Sequence, residues 1–277
     1  MTDPDVPKGM SIDLLKDLHL LTREGQLNAD ARRKLKQIRH LVGLLKPALD
    51  DAMARNENPS VVDCGAGKSY LGALLYELVL GPAGRGTLTA IEARPELSEQ
   101  AAARAARFGQ DRFRVATGAI DAVQVARPNV LTALHACDTA TDDALVLAIA
   151  TNADHVAVVP CCQAEVARQL ASSQPDDAAL FAHNLHRREF GSHLTNVIRG
   201  LVLEAHGYKV TVTELVGWEH SAKNELILAK RVNRFDKRAR DTLRTLLDRF
   251  HVEPSLVKEL RRRELDPTGA PPSSQSS

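Results

Sequence analysis

Seven consecutive residues, Asp63-Cys64-Gly65-Ala66-Gly67-Lys68-Ser69, follow the short apolar run Val61-Val62 and combine a carboxylate, two glycines and a lysine. Glycines let a backbone approach a ligand closely, and a helix starting just after them offers free N–H groups. Three ligand chemistries use such a turn: phosphate, dinucleotide and nucleoside cofactor. A phosphate loop ending in Gly67-Lys68-Ser69 needs a glycine at position 62, and Val62 stands there, inside the apolar run. A dinucleotide turn needs a third glycine at position 70, and Tyr70 is too bulky for close helix–strand packing.

The third chemistry fits better. Acidic-x-Gly-x-Gly over Asp63–Gly67 suits S-adenosylmethionine. Glu92 ends a second apolar run, where a carboxylate can accept both hydroxyls of an unphosphorylated ribose. A turn after a third run, Gly118-Ala119-Ile120-Asp121, can flank the adenine. The cofactor-binding candidates are Asp63, Gly65, Ala66, Gly67, Glu92, Ala119 and Ile120, with His135 as a wall for the methionine end.

Methyl transfer from a sulfonium is an in-line displacement, so the protein's main task is alignment. A hydroxyl acceptor also needs deprotonation, commonly by a lysine whose pKa is lowered beside other groups. The candidates for orienting or deprotonating the acceptor are Asp138, His135, Lys36 and Lys223, with Lys68 as a further lysine. Asp138 suits equally the cap of a following helix, and His135 a structural role. The adjacent Cys161 and Cys162 suit a pocket lining better than a nucleophile, because nothing nearby activates them. Trp218 and His220 are candidates for stacking on a substrate base.

The elements that must hold these residues alternate. Short apolar runs at 61–63, 87–92, 113–116, 130–135 and 155–159 predict strands, separated by helical stretches such as 70–80. Strand–helix alternation implies a parallel sheet with right-handed crossovers. A helix over 192–206 then leads to a hairpin pair, 209–215 and 225–229, while 164–189 reads as less regular. Leucines at 14, 15, 18 and 21, and apolar residues at 35, 38, 41, 42 and 45, predict two N-terminal helices, the second interrupted or ended at Pro47. The expected organisation is a helical N-terminal extension over 1–57, a cofactor domain over 58–232, a basic helical extension over 233–265 and a disordered tail over 266–277.

Composition narrows the class. No stretch approaches the roughly 18 apolar residues of a membrane span, and the first eight residues carry two aspartates and no apolar segment, so a cytoplasmic protein without a secretory signal is expected. The four cysteines include no Cys-x-x-Cys pair, which argues for reduced thiols and against a metal site. Net charge is only +1, but its distribution is uneven: six basic and no acidic residues lie in 31–46, and twelve basic against five acidic in 230–263. Two basic flanks fit either a polyanion such as RNA or simply solvated amphipathic helices.

Four ordered motifs carry a resemblance. Asp63-x-Gly-x-Gly-Lys-Ser-Tyr-Leu71, Leu134-His-Ala-Cys-Asp138, Pro160-Cys-Cys-Gln163 and Lys223-Asn-Glu-Leu-Ile-Leu-Ala229 together resemble the class I methyltransferase superfamily over about 59–231. Within it they are most similar to a methyltransferase-like subgroup, and are also reminiscent of tRNA ribose 2′-O-methyltransferases. Gln163 departs from the aromatic residue that often follows Pro-Cys-Cys. The resemblance implies a Rossmann-like α/β fold with a seven-stranded sheet whose last strand is antiparallel. It also implies that His135, Cys137, Asp138, Pro160 and Cys161 gather beyond the fourth and fifth strands. The expected function is S-adenosylmethionine-dependent methylation of RNA, tRNA or rRNA. The alternatives are a protein or small-molecule methyltransferase, or a non-catalytic cofactor-binding scaffold.

Overall fold

Val61, Val62, Asp63 and Cys64 are all buried, which is possible only for a strand covered on both faces. They lie in β1 (Ser60–Cys64), near the centre of a seven-stranded sheet in the computed structural model, which describes residues 6, 9–27, 29–134, 136, 139–160, 164–172, 178–215 and 225–268. The other strands are β2 (Thr87–Glu92), β3 (Phe113–Thr117), β4 (Val130–Ala133), β5 (His155–Val158), β6 (Tyr208–Glu214) and β7 (Glu225–Arg231). The helices are α1 (Ile12–Asp17), α2 (Ala29–Arg55), α3 (Tyr70–Leu75), α4 (Pro95–Arg107), α5 (Thr139–Ala150), α6 (Glu165–Gln169), α7 (Ala178–Phe181), α8 (Asn184–Ala205), α9 (Lys237–Phe250) and α10 (Ser255–Arg262).

The strand order is β3-β2-β1-β4-β5-β7-β6. The first five strands pair in parallel, and β7, the last in the chain, runs antiparallel to both β5 and β6. The α/β fold is thus the seven-stranded arrangement expected of the sequence. The order reverses between β1 and β4, and open α/β sheets bind ligands beyond the carboxyl ends of the strands at that point. The glycine turn leaves β1 there.

Two apolar layers fill the space around the sheet. One buries Leu41, Leu45, Leu49 and Ala52 of α2 with Leu71 and Leu75 of α3 and Ala105 of α4. The other buries α5 and α8 with Leu243 of α9 and Leu256, Val257 and Leu260 of α10. The two basic flanks therefore lie against opposite faces of the sheet. They do not form one continuous basic face, and many C-terminal arginines are already paired: Arg262 and Arg263 with Glu259, and Arg261 with Asp266 and Glu253.

Two expectations change. Pro47 sits inside α2 without ending it. The loss of one backbone donor is outweighed by Leu45, Leu49 and Ala52, which bury against the sheet on either side of it. Asp51 then anchors the helix end, its Oδ2 2.6 Å from His155 Nε2. The His155 contact, with Arg55 and Lys230 beyond it, holds the Asp51 carboxyl down to about 2 against the opposing effect of burial. The second change is α8, which begins at Asn184 rather than near Ser192. Gly191 lies within it because a Cβ there would fall 2.7 Å from the Ala167 backbone, so α8 can cross α6 this closely only at a glycine.

Candidate active site

The turn after β1 has three left-handed residues in five: Gly65 (φ 63°), Gly67 (φ 58°) and Ser69 (φ 52°). Left-handed backbone costs roughly 1–2 kcal/mol per non-glycine residue, so the surroundings must impose it on Ser69. They do so through backbone bonds. Ala66 N–H donates to the Ile91 carbonyl on β2 at 2.9 Å, and Ser69 N–H donates back to the Ala66 carbonyl at 2.8 Å. Gly65 is required for space as well: a Cβ would lie 3.1 Å from Ala136 Cβ and 3.3 Å from its Cα. The segment after β4 therefore runs directly against the turn. Gly67 faces open space except for the Arg94 guanidinium, 3.9 Å from where its Cβ would be.

Close helix–strand packing is provided at Gly72 rather than at position 70. A Cβ on Gly72 would meet the Phe113 ring at 3.0 Å and Leu88 at 3.2 Å. Tyr70 is half-buried instead, against the N-terminal leucines.

Glu92 closes the opposite side of the cradle. Its Oε2 accepts from Gly67 N–H at 2.6 Å, and its Oε1 accepts from Arg94 Nε at 2.7 Å and Arg94 N–H at 3.1 Å. Burial raises the Glu92 carboxyl, and the bonds from Arg94 and Gly67 outweigh it, leaving the group below its ordinary value and ionised. The Glu92 carbonyl is held too, by Ser98 Oγ at 3.1 Å and Gly118 N–H at 3.0 Å. The turn after β3 is thus tied to the end of β2. Within it Ala119 is exposed, whereas Ile120 is buried in the core beneath.

Asp63 lies under the turn, almost fully buried, with Thr132 Oγ1 donating to its Oδ1 at 2.8 Å. Burial pushes its carboxyl up to about 7, and the Thr132 bond only partly opposes this. The same burial raises the neighbouring Cys64 thiol, with the Asp63 charge adding to it, so Cys64 is an inert core residue.

Among the expected site residues, the structure brings together Asp63, Gly65, Ala66, Gly67 and Glu92, with Ala119 and Ile120 on the turn tied to β2. Lys36 is exposed on α2. Lys68 is exposed, and its carbonyl accepts from Arg104 Nη1 at 2.8 Å. His135, Asp138 and Lys223 lie outside the described residues, as do Cys137, Cys161, Cys162, Trp218 and His220. Among the described residues no group of three or more His, Cys, Asp or Glu side chains could hold a metal ion, and no helix is long and apolar enough to cross a membrane.

Sequence reasoning missed a buried polar chain beside this site. Arg199 of α8, fully buried, donates from Nε to Asp142 Oδ1 at 2.7 Å and from Nη1 to Asn196 Oδ1 at 3.2 Å. Asn196 Nδ2 donates to Glu225 Oε2 at 2.8 Å. Asp142 stands in the first turn of α5, just beyond β4, and Thr141 Oγ1 donates to the Ala136 carbonyl at 2.5 Å. Glu225 opens β7, two residues before Ile227, the partner of Val158 at the carboxyl end of β5. The only sequence signal was an arginine in an apolar helical stretch, Val197-Ile198-Arg199-Gly200-Leu201.

Residues 33–169, just under half of the chain, match a family model described as a methyltransferase domain. The chain carries a methyltransferase domain. Its reaction class is methyl transfer, and the match takes in the glycine turn, Glu92 and the turn at Ala119-Ile120. No curated protein sequence matches the chain. Solved structures of similar fold include an rRNA methylase from Streptococcus thermophilus, 11% identical, covering 68% of this chain and 94% of that one, with a TM-score of 0.45. A geranyl diphosphate methyltransferase in complex with GPP and sinefungin is 15% identical, covering 74% and 81%, with a TM-score of 0.46. Magnesium protoporphyrin IX methyltransferase from Synechocystis PCC 6803 with bound SAH is 13% identical, covering 79% and 93%, with a TM-score of 0.43.

Proposed function

We propose that this methyltransferase domain uses S-adenosylmethionine and methylates RNA. The observation that carries the cofactor half is the pairing of Glu92, at the end of β2, with the Gly67 amide in the turn after β1. A buried, ionised carboxylate at the end of β2 suits two ribose hydroxyls, and the glycines at 65 and 67 leave room for the cofactor against the backbone. The cradle therefore fits the group: Gly65, Ala66 and Gly67 would lie against it, with Asp63 bracing the turn from beneath, Glu92 would accept from its ribose, the turn at Ala119-Ile120 would flank its adenine, with the Ile120 side chain packed below, and His135 would face its methionine end. When bound, S-adenosylmethionine supplies an activated methyl on a sulfonium.

The chain's own residues must then orient an acceptor and, for a hydroxyl acceptor, take its proton. Asp138 with Lys36 or Lys223, and His135, are the groups proposed for that work. The RNA half rests on charge. Arg32, Lys36 and Arg39 are exposed and recur at helical spacing on one side of α2, a stripe suited to phosphates. Arg234, Lys237 and Arg238 are exposed at the start of the C-terminal basic region, on the other face.

The deciding experiment incubates the protein with donor carrying a tritiated methyl and, separately, total RNA and total protein. Label in RNA, falling steeply as salt rises from about 50 to 200 mM, supports the reading. Label in protein or in small molecules alone overturns the RNA half. No heat of binding and no thermal shift at millimolar S-adenosylmethionine overturns the cofactor half.

A further inference from the structure

Among the described residues, a side chain of α4 links the N-terminal unit to the glycine turn. Arg104 of α4 is mostly buried, its side chain 10% exposed. Its Nε donates to Asp17 Oδ2 at the end of α1, at 2.6 Å, and its Nη1 donates to the Lys68 carbonyl at 2.8 Å. Arg107 reaches the other Asp17 oxygen. Lys68 stands between Gly67 and Ser69, two of the three left-handed residues, at the part of the turn whose amide meets Glu92. Asp17 therefore holds Arg104, and Arg104 holds the turn.

The N-terminal unit is itself firmly seated. Leu14, Leu15 and Leu18, with Leu35 of α2, pack on Ala73 and Leu74 of α3, the helix that leaves the turn. Ser11 N–H donates to Glu77 Oε1 at 2.7 Å, just beyond α3. One unit thus grips both helices flanking the turn, α3 by apolar packing and α4 by a charge-assisted bond.

We propose that Asp17 and Arg104 are positioning residues for the cofactor turn, through which the N-terminal unit sets the affinity of the methyl-donor site. The inference rests on the S-adenosylmethionine reading above. A left-handed turn persists only where its surroundings over-determine it, and a site held in its bound shape binds more tightly because less ordering is lost on binding. Asp17 contributes by fixing the direction of a long, otherwise flexible guanidinium.

The test compares wild type, Asp17→Asn, Arg104→Gln and Arg104→Lys with a control, Val257→Ala, which opens a cavity between α10 and α5. Three quantities are read in the full-length protein: the Kd for S-adenosylhomocysteine by calorimetry, the ligand-free Tm, and amide hydrogen exchange of residues 65–69 without ligand. Asp17→Asn and Arg104→Gln are expected to weaken binding about tenfold and to speed exchange in the turn. Arg104→Lys should recover part of this loss, since one ammonium cannot serve both partners. Val257→Ala should lower Tm while leaving Kd and turn exchange as in wild type. Unchanged Kd and unchanged turn exchange in Asp17→Asn and Arg104→Gln overturn the proposal. Wild type that takes up no ligand overturns the cofactor reading instead, and turn exchange still decides whether Asp17 and Arg104 position the turn.

Discussion

Glu92 and Gly67, at the ends of two adjacent strands, are joined by a 2.6 Å hydrogen bond from the glycine amide to the carboxylate. The bond makes Glu92 a brace for the turn as well as a proposed ribose acceptor. The two roles compete for the same oxygens, and Arg94, which also donates to Glu92, stands nearest the solvent. Glu92→Gln should keep the shape and lose the charge. Calorimetry with S-adenosylhomocysteine should show binding weakened on the order of 10–100-fold, the worth of hydrogen bonds to a charged acceptor. Wild-type affinity in this variant would remove Glu92 from the site.

Three glycines separate steric need from conformational need. Gly191→Ala places a Cβ 2.7 Å from the Ala167 backbone, which cannot yield without parting α8 from α6. Gly65→Ala adds positive-φ strain to a 3.1 Å contact with Ala136. Gly67→Ala carries the strain alone, with open space around it apart from a flexible arginine. Thermal unfolding should rank them in that order, from more than about 3 kcal/mol lost for Gly191→Ala to about 1 kcal/mol for Gly67→Ala.

Asp63 predicts a pH dependence whose sign is opposite to that of ordinary carboxylates. Its folded value, about 7, lies above the reference of 3.8, so the folded state holds a proton that the unfolded state releases. Stability from this group is complete below about pH 4, falls as pH rises to about 7, and is flat beyond. Asp63→Asn cannot ionise and should escape the fall. Urea titrations at pH 5 and pH 8 should show the variant gaining on wild type by a few kcal/mol at the higher pH, at the order-of-magnitude level. An equal difference at both values would mean that Asp63 is ionised throughout.

The Arg199–Asp142 pair is buried, so removing one partner should cost far more than removing both. Arg199→Met takes the guanidinium away from the buried Asp142 carboxylate and should cost about 3–5 kcal/mol. Arg199→Met with Asp142→Leu should recover most or all of that stability, since apolar replacement of a buried pair is often neutral or better. Denaturant midpoints for the two singles and the double give the coupling directly. A double variant as unstable as the worse single would show that the remaining members, Asn196 and Glu225, depend on the pair.

The glycine turn and the strand-end carboxylate facing it were legible in the sequence because their logic is short-range. A carboxylate, two glycines and a strand-end glutamate each occupy a position dictated by the adjacent strand, and strands buried on both faces show as unbroken apolar runs. The element order followed from the same alternation, and with it the fold class. The antiparallel last strand came from the family resemblance and was met in β7.

Other features depended on which surfaces meet. Pro47 reads locally as a stop, but the burial of Leu45 and Leu49 carries α2 through it. The stretch before 192 reads as irregular, but α8 runs through it from Asn184, with Gly191 letting α6 cross at backbone distance. The basic flanks read as one charged theme, and the sheet separates them onto two faces. Asp17 and Arg104 lie 87 residues apart, Asp142 and Arg199 57 apart. Such pairs leave no periodicity and no spacing rule in a single sequence. By itself the sequence determined the turn and the strands, because backbone conformation and local burial act over a few residues. The tertiary structure decided how the turn is held in place, because a desolvated charge finds its partner only after distant elements have packed.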